Sequence, residues 1–167
     1  MSVVHLIEGP VGAGKSTYSA ILAQQMNGVH IALDEWFVKL FSPDRPASDP
    51  IAWYLQRKDR LIDVIWRHSL RVLATGTNVI LELGLVQRQP RMDFYHRVQS
   101  DGFEPLVYVL DAPVEIRRQR VHRRNIEKGA TFAMVVPDHF FDMASSMWEA
   151  PDEFECGEYQ VEYLSVP

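Results

Sequence analysis

Gly9-Pro10-Val11-Gly12-Ala13-Gly14-Lys15-Ser16-Thr17 fills the pattern G-x-x-x-x-G-K-[ST] without a gap, and what flanks it decides the fold. Residues 3–7 before it form a short apolar, β-prone run. After it, Tyr18, Ile21, Leu22 and Met26 recur at helical spacing. Strand, glycine loop and helix in that order let a backbone curl around a phosphate. The glycines turn several N–H groups inward, and the helix N-terminus adds about half a positive charge. All nine residues from Gly9 to Thr17 are therefore expected to contact a nucleotide. Lys15 is expected to reach its β and γ phosphates, and the Ser16 hydroxyl to ligate Mg²⁺. A plain glycine turn capped by Ser16 or Thr17 is the competing reading, and the strand and helix on either side weigh against it.

Working outward, residues 29–33 read as a second strand closed by Asp34-Glu35. The stretch 41–50 carries Pro43, Pro46 and Pro50 and reads as a loop. A long helix is expected over 52–74, with Leu55, Ile62, Ile65 and Leu73 facing the core and Arg57, Lys58, Asp59 and Arg60 solvated. Strands are expected at 79–83 and 106–110, separated by a helix over 91–99. A basic helix over 114–125, a helix from 138 to 148 and a short strand near 159–163 complete the chain. Strands alternating with helices predict a parallel sheet covered on both faces, with ligands at the carboxyl ends of the strands.

Composition sets the outer limits. At 167 residues, with no repeat or linker, the chain fits a single domain over 1–167. No apolar run approaches the roughly 20 residues of a membrane helix, and residues 1–6 lack the basic and long apolar regions of a secretory signal. A cytoplasmic protein is expected, and the lone Cys156 agrees with a reducing compartment. A formal charge of −5 disfavours a polynucleotide partner held mainly through its phosphates. His5, His30, His68, His96, His122 and His139 are scattered without metal-ligand spacing, so no zinc site is expected.

Beyond the glycine loop, four features stand in order: Asp34 after the second strand, Glu82 after Val79-Ile80-Leu81, the arginines from Arg117 to Arg124, and Trp148-Glu149-Ala150-Pro151. In these the chain resembles the AAA-type predicted kinases, a group of small P-loop kinases akin to polynucleotide kinase, chloramphenicol phosphotransferase and the zeta-toxin kinases. The resemblance spans nearly the whole chain. It implies an α/β, three-layer P-loop NTPase fold, with a central, mainly parallel five-stranded sheet and an Arg-rich helical lid. It also implies transfer of the γ-phosphoryl of ATP·Mg²⁺ to a hydroxyl group.

Under that resemblance Lys15, Asp34, Arg120 and Arg124 are the expected catalytic residues, with Asp34 as the base. A carboxylate at the end of a strand beside the phosphates suits that role, although a helix cap for the segment at Glu35-Trp36 fits the sequence nearly as well. Glu82 stands where such proteins carry a carboxylate for Mg²⁺ or its waters, although it is a glutamate where aspartate is usual, and a merely structural residue at a strand end is the alternative. Arg117, Arg120 and Arg124 recur at i, i+3 and i+7 on one helix face and are expected to bind the phosphates of ATP, while Arg118 and Arg123 lie off that face. A solvated basic face is the alternative. Arg88 and Arg91 suit either an anionic substrate or salt bridges at a helix start. The segment from Trp36 to Trp53, with Phe37, Arg45 and Tyr54, is the expected acceptor pocket, unless its aromatics belong to the core.

Three functions stay open on this reading: a small-molecule kinase, a 5′-hydroxyl nucleic-acid kinase, and a switch-like ATPase with water as its only acceptor. The first joins Asp34, the aromatic segment and the acidic charge, and takes ATP, Mg²⁺ and a small hydroxyl-bearing substrate. Nucleic acid and membrane are not expected as partners, and a monomer or a homodimer fits.

Overall fold

The computed structural model describes residues 2–130 and 132–165. β1 (Val4–Glu8) leads through the glycine loop into α1 (Lys15–Gln25), followed by β2 (Gly28–Ala32), α2 (Leu33–Leu40) and a short 3-10 turn, Ser42–Asp44. Then come α3 (Pro50–Leu73), β3 (Asn78–Glu82), α4 (Arg88–Ser100) and β4 (Pro105–Asp111). α5 (Val114–Glu127), α6 (Asp138–Ser146), α7 (Glu153–Glu158) and β5 (Gln160–Ser165) follow. The strands form one sheet in the order β2-β3-β1-β4-β5, and every pairing is parallel. Leu6 of β1 stands level with Leu81 of β3 and Val107 of β4, so the central strand is buried on both edges.

Strand alternation separates the two faces. Val4 and Leu6 join a core with Leu61, Ile65 and Trp66 of α3 and with Met92, Phe94, Tyr95 and Val98 of α4. Ile7 and Ile80 turn the other way, onto Leu22 of α1. This is the expected α/β three-layer P-loop architecture. No helix among the described residues is long and apolar enough to cross a membrane.

Several local expectations need correction. Asp34 does not close a strand: β2 runs directly into α2, Ala32 is the N-cap, and Asp34 and Glu35 occupy the first helical turn. There they meet the positive end of the helix dipole, as Lys39 meets the negative end. Trp36 and Phe37 therefore belong to a helix, and the irregular segment shrinks to the residues between α2 and α3. Asp49 caps α3 through its side chain, with Pro50 at the first helical position. Leu55 is exposed and Lys58 turns inward, the reverse of the expectation. On α1, Ile21 and Met26 are exposed, and Ser19 with Leu22 makes the packing face. α7, held by a capping box between Asp152 and Glu155, was not foreseen.

Candidate active site

The glycine loop leaves β1 at the centre of the sheet and is wedged between two neighbours. Gly9 has φ +146°, and a Cβ there would lie 2.1 Å from the carbonyl oxygen of Leu110 in β4. Gly12, at φ +79°, would place a Cβ 2.6 Å from the carbonyl oxygen of Arg117 in α5. Only glycine satisfies both the left-handed backbone and the close approach. Lys15 donates from Nζ to the carbonyl oxygens of Gly9, at 2.8 Å, and Pro10, at 2.9 Å, which folds its ammonium over the loop. Lost hydration lowers its pKa, against the charges of Glu82, Asp34 and Glu8.

Ser16 and Glu82 meet beside this loop: Ser16 Oγ donates to Glu82 Oε1 at 2.8 Å. His30 Nε2 lies 3.2 Å from the other carboxylate oxygen. Burial acts to raise the Glu82 pKa, but the hydrogen bond with His30, the charge of Lys15 and the Ser16 hydroxyl outweigh it and hold the group below its ordinary value. A hydroxyl and an ionised carboxylate at the start of α1 are the hard oxygen donors that Mg²⁺ takes, together with phosphate oxygens, so the residues present fit that ion. Among the described residues no cluster of three His, Cys, Asp or Glu forms a self-contained metal cage.

Asp34 comes to the same end of the sheet from α2. It is solvent-accessible but crowded by protein. Desolvation, then the charge of Glu82, raises its pKa, while Lys15, Lys58 and Arg124 oppose the rise. Those five groups come from four elements, α1, α3, β3 and α5, besides α2 itself. Arg124 bears on both Lys15 and Asp34, and its Nε is buried without a hydrogen-bond partner among the described residues. Arg120, one turn earlier on α5, is half-buried.

Arg117 stands apart from its two neighbours on that face. Its Nε donates to Ala112 O at 2.9 Å, and its Nη1 to Val11 O and Ser145 Oγ, each at 3.0 Å, with Phe141 under the guanidinium. Its Nε and Nη1 donors are taken by protein, so it clasps α5 and α6 to the glycine loop. Arg118, off the face, pairs with Asp142 at 2.6 Å. Asn125 binds both the N–H and the C=O of Val136, fixing α5 to the segment before α6.

The alternatives for Arg88 and Arg91 resolve to salt bridges. Arg91 is fully buried, holds both oxygens of Glu155 at 2.9 and 3.0 Å, and donates to Glu149 O at 2.7 Å. Arg88 pairs with Asp152 at 2.8 Å. The aromatic segment divides. Phe37 is core, stacked edge-on against Trp53 and close to Tyr54. Arg57 lies 4.4 Å from the centroid of the Trp53 ring, and Arg45 is exposed. Tyr54 feels the charges of Asp34 and Arg45.

Two further residues were not singled out from the sequence. Glu8, at the carboxyl end of β1, is 2% exposed, and burial pushes its pKa up to about 8 against the charges of Arg91, Lys15 and Lys58. The alternation Val4, Leu6, Glu8 was the available signal. Lys58 donates to Gly84 O at 2.6 Å and lies within electrostatic reach of Asp34 and Glu8.

The sequence profile of the family described as AAA domain matches residues 4–147. No curated protein matches the sequence. Among solved structures, a candidate kinase from Chloroflexus aurantiacus is similar at 14% identity, covering 98% of this chain and 88% of that one, with a TM-score of 0.72. Kti12 of Chaetomium thermophilum, solved with ADP-AlF3, shares 16% identity over 97% of this chain and 88% of its own, with a TM-score of 0.71. A chain of the Pnkp1/Rnl/Hen1 RNA repair complex shares 18% identity over 95% of this chain and 46% of its own, with a TM-score of 0.66. These likenesses are of fold.

Proposed function

Since the chain belongs to the AAA domain family, we propose that it is an ATP-dependent phosphotransferase that moves the γ-phosphoryl group to a hydroxyl of a small molecule. One observation carries the reading: Lys15 on the phosphate loop and the carboxylate of Asp34 lie within electrostatic reach of each other and of Arg124. A loop that only binds a triphosphate needs no such carboxylate beyond its metal ligand. An enzyme that primes an alcohol does.

Gly9 to Thr17 would wrap the phosphates with backbone N–H groups, and Lys15 would leave its loop carbonyls for the β and γ oxygens. Ser16 and Glu82 are the residues that would hold Mg²⁺, which supplies charge neutralisation on the phosphates. Asp34 accepts the proton of the acceptor hydroxyl as its oxygen bonds to the γ-phosphorus. The bond from that phosphorus to the β–γ bridging oxygen breaks, and ADP carries the electron pair away. Arg120 and Arg124 offset the charge spread over the phosphoryl group in transit. Arg117 serves them indirectly by fixing α5 on the loop.

Support for a small acceptor comes from the acidic overall charge of −5. The reading keeps the expectation of a cytoplasmic, single-domain enzyme acting as a monomer or homodimer. The test is a screen of nucleosides, sugars and other alcohols with γ-labelled ATP. Label in an organic product supports the reading, and label in inorganic phosphate alone overturns it.

A further inference from the structure

His30 has no part in the chemistry derived above, yet its ring reaches the carboxylate of Glu82. β2 pairs with β3 in parallel register, His30 level with Ile80 and Ala32 level with Glu82. Side chains at one level of a parallel pair share a face, as do alternate residues along one strand. Ile80 packs onto Leu22 of α1, so His30, Ala32 and Glu82 all lie on the α1 face of the sheet. Ile31, between His30 and Ala32, belongs to the opposite core. On its own face His30 is flanked by two of the smallest residues, Gly28 and Ala32. A Cβ at position 28 would lie 2.5 Å from Ile80 Cδ1, so the edge strand sits close against β3 there. A side chain larger than alanine at position 32 would stand between the ring and the carboxylate.

Resting on the reading that Ser16 and Glu82 hold Mg²⁺, we propose that His30 is a positioning residue of that site: it fixes the Glu82 carboxylate beside Ser16 and so lets a glutamate serve where aspartate is usual. Three observations carry this. First, the two carboxylate oxygens are divided between two elements. Oε1 takes the Ser16 hydroxyl of α1 at 2.8 Å, and Oε2 lies 3.2 Å from His30 Nε2 of β2. A carboxylate that serves a cation is ionised and only accepts, so Nε2 carries the hydrogen and donates it. Second, the side chains of His30 and Glu82 are 18% and 12% exposed, so water competes little for that bond.

Third, glutamate has one more rotatable bond than aspartate, and that freedom must be given up for a fixed ligand. Held by Ser16 alone, the carboxylate would swing about Oε1. An anchor on the neighbouring strand removes the swing before any ion arrives. The arrangement leaves capacity for the ion and its waters. Ser16 keeps its oxygen lone pairs while its hydrogen stays on Oε1, and the carboxylate uses two of its roughly four acceptor positions on Ser16 and His30. Residues that orient a ligand without touching the metal typically change affinity or activity by about 10–100-fold when removed.

The experiment uses the full chain, ADP and Mn²⁺ as a spectroscopic substitute for Mg²⁺, with free Mn²⁺ counted by its paramagnetic resonance signal. His30→Ala should weaken Mn²⁺ binding to the ADP-loaded chain by about 10-fold or more, while ADP affinity in EDTA stays within about twofold. That metal-free affinity also shows that the variant folds and keeps its phosphate loop. His30→Gln, which retains an N–H donor, should recover most of the Mn²⁺ affinity. In a Glu82→Asp background the shorter side chain falls short of residue 30, so adding His30→Ala should cost less than about twofold more. Provided that Glu82→Gln itself weakens Mn²⁺ binding, three results overturn the proposal and leave the metal-site reading standing. They are an unchanged Mn²⁺ affinity in His30→Ala, a metal-free ADP affinity that falls in step with it, and equal losses from His30→Ala in both backgrounds. Glu82→Gln binding Mn²⁺ as tightly as the wild type overturns both.

Discussion

Ser16 Oγ donates to Glu82 Oε1 across 2.8 Å, joining the first turn of α1 to the end of β3. A hydroxyl and a carboxylate brought together beside a phosphate loop are the two protein ligands a divalent ion would need there. Glu82→Gln keeps the shape and removes the charge. The magnesium concentration giving half-maximal turnover should rise by about 10-fold or more, with the thermal transition without metal little changed. An unaltered magnesium requirement would remove Glu82 from the metal site.

Lys15 is half-buried and pinned to Gly9 and Pro10 by its own loop. Lys15→Ala should abolish ATP-dependent turnover, because no other side chain in the loop carries a cation to the γ-phosphate. Retained turnover in this variant would contradict the assignment of the loop.

Glu8 makes the fold sensitive to pH in a stated direction. Its folded-state pKa lies near 8, above its ordinary 4.5, so between these values the native chain holds a proton that the unfolded chain has released. Stability from this group is fully present below about 4.5 and is lost as pH rises through about 8. Glu8→Gln should raise the melting temperature at pH 8 and flatten its decline between pH 5 and pH 8, roughly the span of the two pKa values. A variant whose melting temperature falls in parallel with the wild type would show that Glu8 does not titrate in this range.

Arg91 and Glu155 form a wholly buried pair that fastens α4 to α7 and the segment before it. Arg91→Met strands the Glu155 carboxylate in the interior, and the loss should be about 3–5 kcal/mol in urea unfolding. The double variant Arg91→Met, Glu155→Leu should recover part of it. A single variant as stable as the wild type would show that the pair is solvated in solution.

The glycine loop and the parallel sheet were legible because their signals are local. A gapless motif lies between an apolar run and a helical period, and each later strand is a continuous apolar stretch. The position of Asp34 was legible although its helix was not: β2 passes into α2 without a Gly, Pro or polar turn to mark the change. Lys58 was misread because it sits in the charged run from Arg57 to Arg60, and its partners, Gly84, Glu8 and Asp34, lie far along the chain. The three arginines of α5 are equivalent by period alone. Tertiary neighbours separate them, since Val11 O and Ser145 Oγ claim Arg117, whereas Arg124 looks toward Lys15 and Asp34. Glu8 was taken as the end of a strand, and only the burial of β1 on both faces reveals a carboxyl group inside the protein.

The central claim is that one cleft both grips a triphosphate and primes an alcohol, and Asp34→Asn separates the two tasks. Measured side by side, wild type and variant should bind ATP with equal affinity, while label transfer from γ-labelled ATP to the alcohol falls by about 10²-fold or more in the variant. Equal transfer rates, or a matching loss of ATP affinity, would contradict it.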